Sequence, residues 1–250
     1  MLFISFHHEP SKRGFLEQLI KITIADFKLI FREPSLRIFL ILPVLILGIV
    51  CIFLPYLSER FEVIDPYIPY VLMGATTQAP TMFGFIYCMV FIEEKDTQVA
   101  RIYGVAPISR WSFTILRLTL PLLIASLFTL ITLLWQPFFQ LGLTKSLLIS
   151  LLTGLLAPIL ALTISALSKN KMEGMTWYKI LNTIVTVPIV SYFVPKMGYL
   201  FGILPTYWAF EAFNEIMVSG LNISFLIATA YLLLLLLFVL NKHLKGHFTA

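Results

Sequence analysis

Apolar residues run in long unbroken stretches along this chain, and charged residues are confined to the short segments between them. A helix needs about 20 consecutive apolar residues to cross the hydrocarbon of a bilayer. Runs of that kind predict spans at about Leu36–Leu57, Tyr67–Ile92, Ser112–Trp135, Ser146–Leu167, Ile180–Val194 and Leu221–Leu240. The fifth is short, so its helix is allowed a start near Met175. Pro43 and Pro158 are expected to kink the first and fourth. Ahead of the first span, Leu16, Leu19, Ile20, Thr23, Ile24, Phe27, Ile30 and Phe31 recur at three- and four-residue steps with charges between them. That is the pattern of an amphipathic helix lying in the membrane interface over residues 15–34. Pro34 disfavours helical geometry at Glu33, so a break is expected there. Ser58–Pro66 and Gln136–Lys145 read as loops.

Residues 195–220 are apolar and aromatic but broken by Pro195, Gly198, Gly202, Pro205 and Gly220. Short helices dipping into the membrane from outside fit this better than a full span, because irregular backbone at that depth needs protein around it. Glu211 and Glu215 there read as one exposed helix face. The predicted fold is an all-α integral membrane protein forming one transmembrane domain over residues 1–250. It has six transmembrane helices, the interfacial helix 15–34, a charged segment 93–111 between helices two and three, and the external re-entrant segment 195–220.

Composition agrees with this pattern. The chain is 59% hydrophobic and 12% charged, against about 25% charged in soluble domains, which leaves no room for a sizeable soluble domain. Cys51 and Cys88 lie inside apolar runs and read as small core residues. His7, His8, His243 and His247 lie near the ends without Cys or carboxylate clusters, so no metal site is expected. Residues Met1–Gly14 place a short apolar start before their charges, the reverse of a signal peptide. A net charge of +5 without a nucleic-acid motif points to lipid headgroups and not to nucleic acid.

Six spans put both ends on one side. Most of the eighteen Lys and Arg then share that side with segment 93–111, leaving only Arg60, Lys145 and Lys196 opposite. Cytoplasmic loops carry the basic excess, so both termini and segment 93–111 are expected in the cytoplasm, with the protein in the inner (cytoplasmic) membrane.

The spans carry no ionisable group at mid-depth. Arg37, Arg117 and Lys179 fall near cytoplasmic ends and read as snorkelling, and Asn182 is the deepest amide. This argues against an ion-driven carrier. The chain also lacks a G-x-x-x-x-G-K-[ST] phosphate loop, a Ser/His/Asp set and an HExxH motif. It reads as a transport scaffold without its own energy source, either passive or worked by a partner through a cytoplasmic contact.

Segment 93–111 suggests which. Glu94-Lys95-Asp96 followed by Pro107-Ile108-Ser109 resembles the cytoplasmic element of type 2 ABC exporter permeases. Phe31-Arg32-Glu33-Pro34 is similar to the end of that family's N-terminal helix, Pro43 to a proline of its first span, and Leu204-Pro205 to its external helices. Gln98-Val99 depart from the Gly-Thr that many members carry there. The resemblance implies a half-transporter that pairs with a second permease copy, alike or different, and docks on an ATP-binding cassette ATPase subunit. The chain itself would bind no cofactor, with ATP and Mg held by that ATPase, and would not be an enzyme. Glu93, Glu94, Lys95, Asp96 and Arg101 would contact the ATPase, with Pro107 and Ser109 fixing the turn. The path would lie between the two copies, lined by Thr76, Thr77, Gln78, Thr81, Phe85, Asn182 and Thr186, and would carry an amphipathic drug, antibiotic or lipid-like molecule out of the cell. The rival reading is a non-transporting membrane assembly or immunity factor that binds a partner protein. A lipid-acting membrane enzyme comes third, since no catalytic set is present.

Overall fold

The computed structural model describes residues 30–97, 110–218 and 222–247. Among these residues the chain is helical with no strand. Most of the interfacial helix expected at residues 15–34 lies outside the described residues. Its last turn, residues 30–32, is helical. Glu33 is extended, with φ −90° and ψ 117°, and Pro34 opens α1, Pro34–Gly48. The break falls where the missing proline N–H requires it.

A wide π turn, Ile49–Phe53, joins α1 to α2, Leu54–Arg60. Pro55 cannot donate to the carbonyl of Cys51, and the wider turn precedes it. The loop expected at Ser58–Pro66 is shorter than read. Helix continues to Arg60, a 3-10 turn covers Glu62–Tyr67, and the Ser58 hydroxyl donates across it to Asp65.

α3, Ile68–Asp96, has 29 residues. At 1.5 Å per residue it is about 44 Å long, well beyond a hydrocarbon core of about 30 Å. Its charged last turn therefore extends past the apolar layer. α3 is the central element, packed by α1 and by the helices that follow, α4 (Arg110–Trp135), α5 (Gly142–Gly154), α6 (Leu156–Leu167), α7 (Lys171–Thr186) and α8 (Pro205–Val218). Pro80 within it leaves the carbonyl of Thr76 without its helical donor. The Thr129 hydroxyl on α4 donates to that carbonyl at 3.3 Å, so a neighbouring helix satisfies the group that proline frees.

Glycine lets two helices approach α3 closely. A Cβ on Gly84 would stand 2.8 Å from the Ala157 carbonyl oxygen on α6, and one on Gly174 of α7 would stand 2.8 Å from Ile92 Cδ1. Small residues at crossings are how apolar helices pack without a hydrophobic drive between them. The expected span at Ser146–Leu167 starts earlier, at Gly142, and is divided into α5 and α6 at Leu155. Pro158 explains the division, since its ring opposes the carbonyl of Gly154.

The stretch expected at Ile180–Val194 starts earlier as well. Asn170 caps α7 by accepting from Glu173 N at 2.9 Å, and Glu173 accepts from Lys169 N at 2.8 Å, a reciprocal capping pair. The α-helix stops at Thr186 because Pro188 follows, and a 3-10 turn carries the chain over Val187–Tyr192. A second 3-10 segment, Pro195–Ile203, leads into α8. It is tied down by Trp208 Nε1 donating to Gly202 O at 2.9 Å and by the Tyr231 hydroxyl donating to Ile203 O at 2.6 Å. Tyr231 belongs to the last helix, α9, Ile223–His247.

Among the described residues, Leu36–Arg60, Glu62–Asp96, Phe113–Trp135, Gly142–Leu167 and Ile223–Leu244 are long and apolar enough to cross a membrane. This is a multi-pass membrane protein. The α7 stretch is less apolar, because Lys171, Glu173 and Lys179 occupy it.

Glu211 on α8 is half-buried. Its face is thus packed and not the free surface that the sequence suggests. Burial raises its carboxyl above the ordinary 4.5; the neighbouring hydroxyls of Tyr192 and Tyr207 oppose this, and Glu215 reinforces it. A carboxyl whose native pKa is raised binds protons more tightly when folded. It therefore lowers stability as pH climbs from about its unfolded value through the raised one. Glu211→Gln should flatten that fall. Tryptophan-fluorescence melts of the detergent-solubilised protein at stepped pH should show the wild type losing midpoint over that window and the variant holding it. Parallel curves would mean that Glu211 titrates normally.

Candidate functional site

The charged end of α3 collects partners from nearly every helix of the bundle. Glu94 points inward, and its carboxylate oxygens accept from Arg117 Nη1 on α4 at 2.7 and 2.9 Å. Arg117 is 3% exposed and Glu94 8%. The guanidinium lies 5.0 Å from the centroid of Phe91 and 5.5 Å from that of Phe113, a geometry in which ring faces favour the cation. The expected snorkelling of Arg117 is corrected by this pairing. An internal carboxylate across the connection and two aromatic rings hold the charge inside the protein, whereas Arg37 and Lys179 are exposed.

One residue on, Lys95 is half-buried and donates to the carbonyl of Ser165 on α6. The Ser165 hydroxyl stands 3.4 Å from Nδ1 of His243 on α9, whose ring is 5.3 Å from Phe91. His243, read from sequence as part of a basic tail, is 2% exposed. One turn before Arg117, Phe113 supplies the outer ring of this layer. A second ionic node lies beside the first. Lys171, at the start of α7, bridges Glu33 before α1 and Glu93 on α3. Burial works against its charge, yet the hydrogen bonds and charges of Glu33 and Glu93 prevail and hold its ammonium above the ordinary value.

The two nodes tie α1, α3, α4, α6, α7 and α9 together at one end of the bundle. Ion pairs at this depth are strong only when geometry and hydrogen bonding are complete, and each charge here has an opposite charge or a carbonyl at contact distance. Together these contacts form a clamp at the charged end of α3.

Of the residues expected to meet an ATPase, Glu93, Glu94 and Lys95 are engaged within the bundle, and Asp96 is exposed. Arg101, Pro107 and Ser109 lie outside the described residues. Sequence reading missed Arg117, Lys171, Glu33, Ser165 and His243 as members of this site. A lone Arg inside an apolar span was a usable signal for an internal partner. The Lys171–Glu33 contact spans 138 residues and leaves no local trace.

The residues expected to line a path lie on α3 and α7. Thr76, Thr77, Thr81 and Phe85 are buried within the chain. The three hydroxyls donate to carbonyls of their own helix, Thr76 to Met73, Thr77 to Gly74 and Thr81 to Gln78. Phe85 packs on Phe39 of α1 and Tyr178 of α7, with ring centroids 4.4 Å away in each case. Gln78, Asn182 and Thr186 are half-buried, and the Thr186 hydroxyl donates to Asn182 O at 2.9 Å.

Comparison with known proteins gives this bundle its family. Residues 26–241 match the family model described as "Fluoroquinolones export permease protein Rv2686c-like". The curated relatives include the fluoroquinolones export permease proteins MT2760 and Rv2686c of two Mycobacterium tuberculosis strains, CDC 1551 / Oshkosh and ATCC 25618 / H37Rv. Each is 24% identical over 231 residues, covering 88% of this chain and 91% of the relative. No solved structure matches. With the family model covering most of its length, the chain belongs to the Rv2686c-like family of fluoroquinolone export permeases.

Proposed function

We propose that this chain is the transmembrane subunit of an ABC exporter, moving an amphipathic substrate out of the cell with energy from a separate ATPase subunit. The observation that carries the reading is membership in a family of export permeases by a chain whose sequence has no phosphate loop. The substrate class follows the relatives' names, so a fluoroquinolone or a molecule of similar amphipathic chemistry is the first to test.

Six crossings are supported by contacts at the two ends of α7. Lys171 meets Glu33 and Glu93 at the clamp, while Tyr192 meets Tyr70 at the far end of α3, with centroids 5.2 Å apart. On this reading the chain traverses the bundle between these residues, and α7 with its 3-10 extension is the sixth span. The return of α9 to His243 beside Phe91 agrees. Pro205 and Thr206 line a cavity with mid-helix residues of α6, α7 and α9, which supports segment 195–220 as re-entrant. With the basic excess inside, the clamp end and both termini are cytoplasmic, and residues 93–111 meet the ATPase.

In this reading Glu94 and Lys95 carry motion inward and Asp96 begins the outward contact. Tagged protein purified from native membranes in mild detergent should bring down a nucleotide-binding ATPase at near-equal amount, with any second type of permease subunit visible beside it. Asp96→Lys should lower the ATPase recovered severalfold and leave the thermal midpoint unchanged. A preparation free of any ATPase would instead favour a partner-binding membrane protein that does not transport.

A further inference from the structure

Between α6, α7 and α9 lies an open cavity of about 350 Å³. Its walls are aliphatic, with Leu160 on α6, Val185 on α7 and Leu235 on α9 among them. Thr206 closes one end, and Lys242 stands at the other. The Thr163 hydroxyl on the wall is occupied, donating to Ile159 O at 2.7 Å, so the wall offers a guest no free donor between the two ends.

The dimensions are those of one leaflet. Along α6 the lining runs from Leu156 to Leu167, about 16 Å at 1.5 Å per residue, roughly half of a hydrocarbon core of about 30 Å. Lys242 follows the aliphatic run of α9 and is exposed, with its ammonium available at headgroup level. The cavity thus offers an apolar slot one acyl chain deep with Lys242 at its mouth, the one cation in its lining among the described residues.

We propose that this slot holds an acyl chain of an anionic phospholipid drawn from the leaflet in which Lys242 stands, with the headgroup phosphate on Lys242. The chain fills the gap that α7 leaves against α6 and α9, and so supports a helix whose own apolar surface is small. The Thr206 hydroxyl, buried and without a partner among the described residues, meets only the terminal methyl end. A guest with a polar far end would use that hydroxyl; a lipid would not. The inference stands on the slot itself and holds whether or not an ATPase drives transport.

The test is native mass spectrometry of the purified protein in mild detergent, titrated with phosphatidylglycerol or with phosphatidylcholine of the same chains. One retained phosphatidylglycerol is expected, bound at least fivefold better than phosphatidylcholine. Lys242→Ala should erase that preference, and Leu160→Trp should remove the retained lipid. Leu116→Trp on an exposed face of α4 should change neither, and Thr206→Val should leave retention intact. Equal retention of both lipids with no effect of Lys242→Ala overturns the headgroup assignment. Retention untouched by both Leu160→Trp and Val185→Trp overturns the slot. Loss of binding on Thr206→Val, or displacement of the lipid by a stoichiometric fluoroquinolone, assigns the cavity to a polar-ended guest in place of lipid.

Discussion

Arg117→Met is expected to destabilise the folded protein by about 3–5 kcal/mol, the usual cost of leaving one buried charge without its partner. The variant keeps a chain long enough to cover Phe91 and Phe113 but strands the Glu94 carboxylate, which is 8% exposed. Glu94→Leu should cost a similar amount by stranding the guanidinium. The double variant Glu94→Leu/Arg117→Met should recover most of the loss, since apolar side chains of similar volume often replace a buried ion pair at little cost. Thermal melts of the three detergent-solubilised proteins read this directly. If the double variant melts no higher than the singles, the pair is not the source of their instability. Drug-efflux assays on the double variant then separate folding from transmission. A stable protein that no longer exports would assign the pair to carrying motion from α3 into α4.

That experiment bears on where sequence reading stopped. The spans were legible because lipid leaves few choices. Apolar length fixed α3, α4 and α9, and the prolines at 34, 158 and 188 explain breaks near the places where they stand. The clamp was half legible. Glu93, Glu94, Lys95 and Asp96 stand out in a chain poor in charge, but a charge run does not say which way each side chain turns. Helix continuing through Asp96 decides it, placing Glu94 and Lys95 toward α4 and α6 and leaving Asp96 outward. Lys171 and His243 could not be found from local pattern. Their partners lie on distant segments, and each reads alone as an ordinary basic residue beside a membrane. The roles of Thr76 and Thr81 are hidden for a similar reason, because polar residues that pack helices and polar residues that line a path have the same spacing.

Gly84→Val tests the packing on which the clamp rests, and its expected loss is about 3 kcal/mol, the upper part of the range for an overpacked core. A Cβ at this position would lie 2.8 Å from the Ala157 carbonyl oxygen and 3.0 Å from Leu160 Cβ. The first of these is backbone, held in place by the first turn of α6 between the break at Leu155 and Pro158. Truncating side chains on α6 therefore gives no relief, and α3 and α6 must separate. Gly154 provides the contrast. Its added Cβ would meet chiefly the side chain of Ser126, with Oγ at 2.0 Å and Cβ at 3.2 Å, so Ser126→Gly should rescue Gly154→Ala. Gly48 has nothing within 4 Å, and Gly48→Ala should be neutral or stabilising by up to about 1 kcal/mol. Melting midpoints should rank Gly48→Ala above Gly154→Ala/Ser126→Gly and both above Gly84→Val. Wild-type stability in Gly84→Val would mean that α3 and α6 are not pressed together as described. Lys95 would then lose the fixed carbonyl of Ser165 against which it is held.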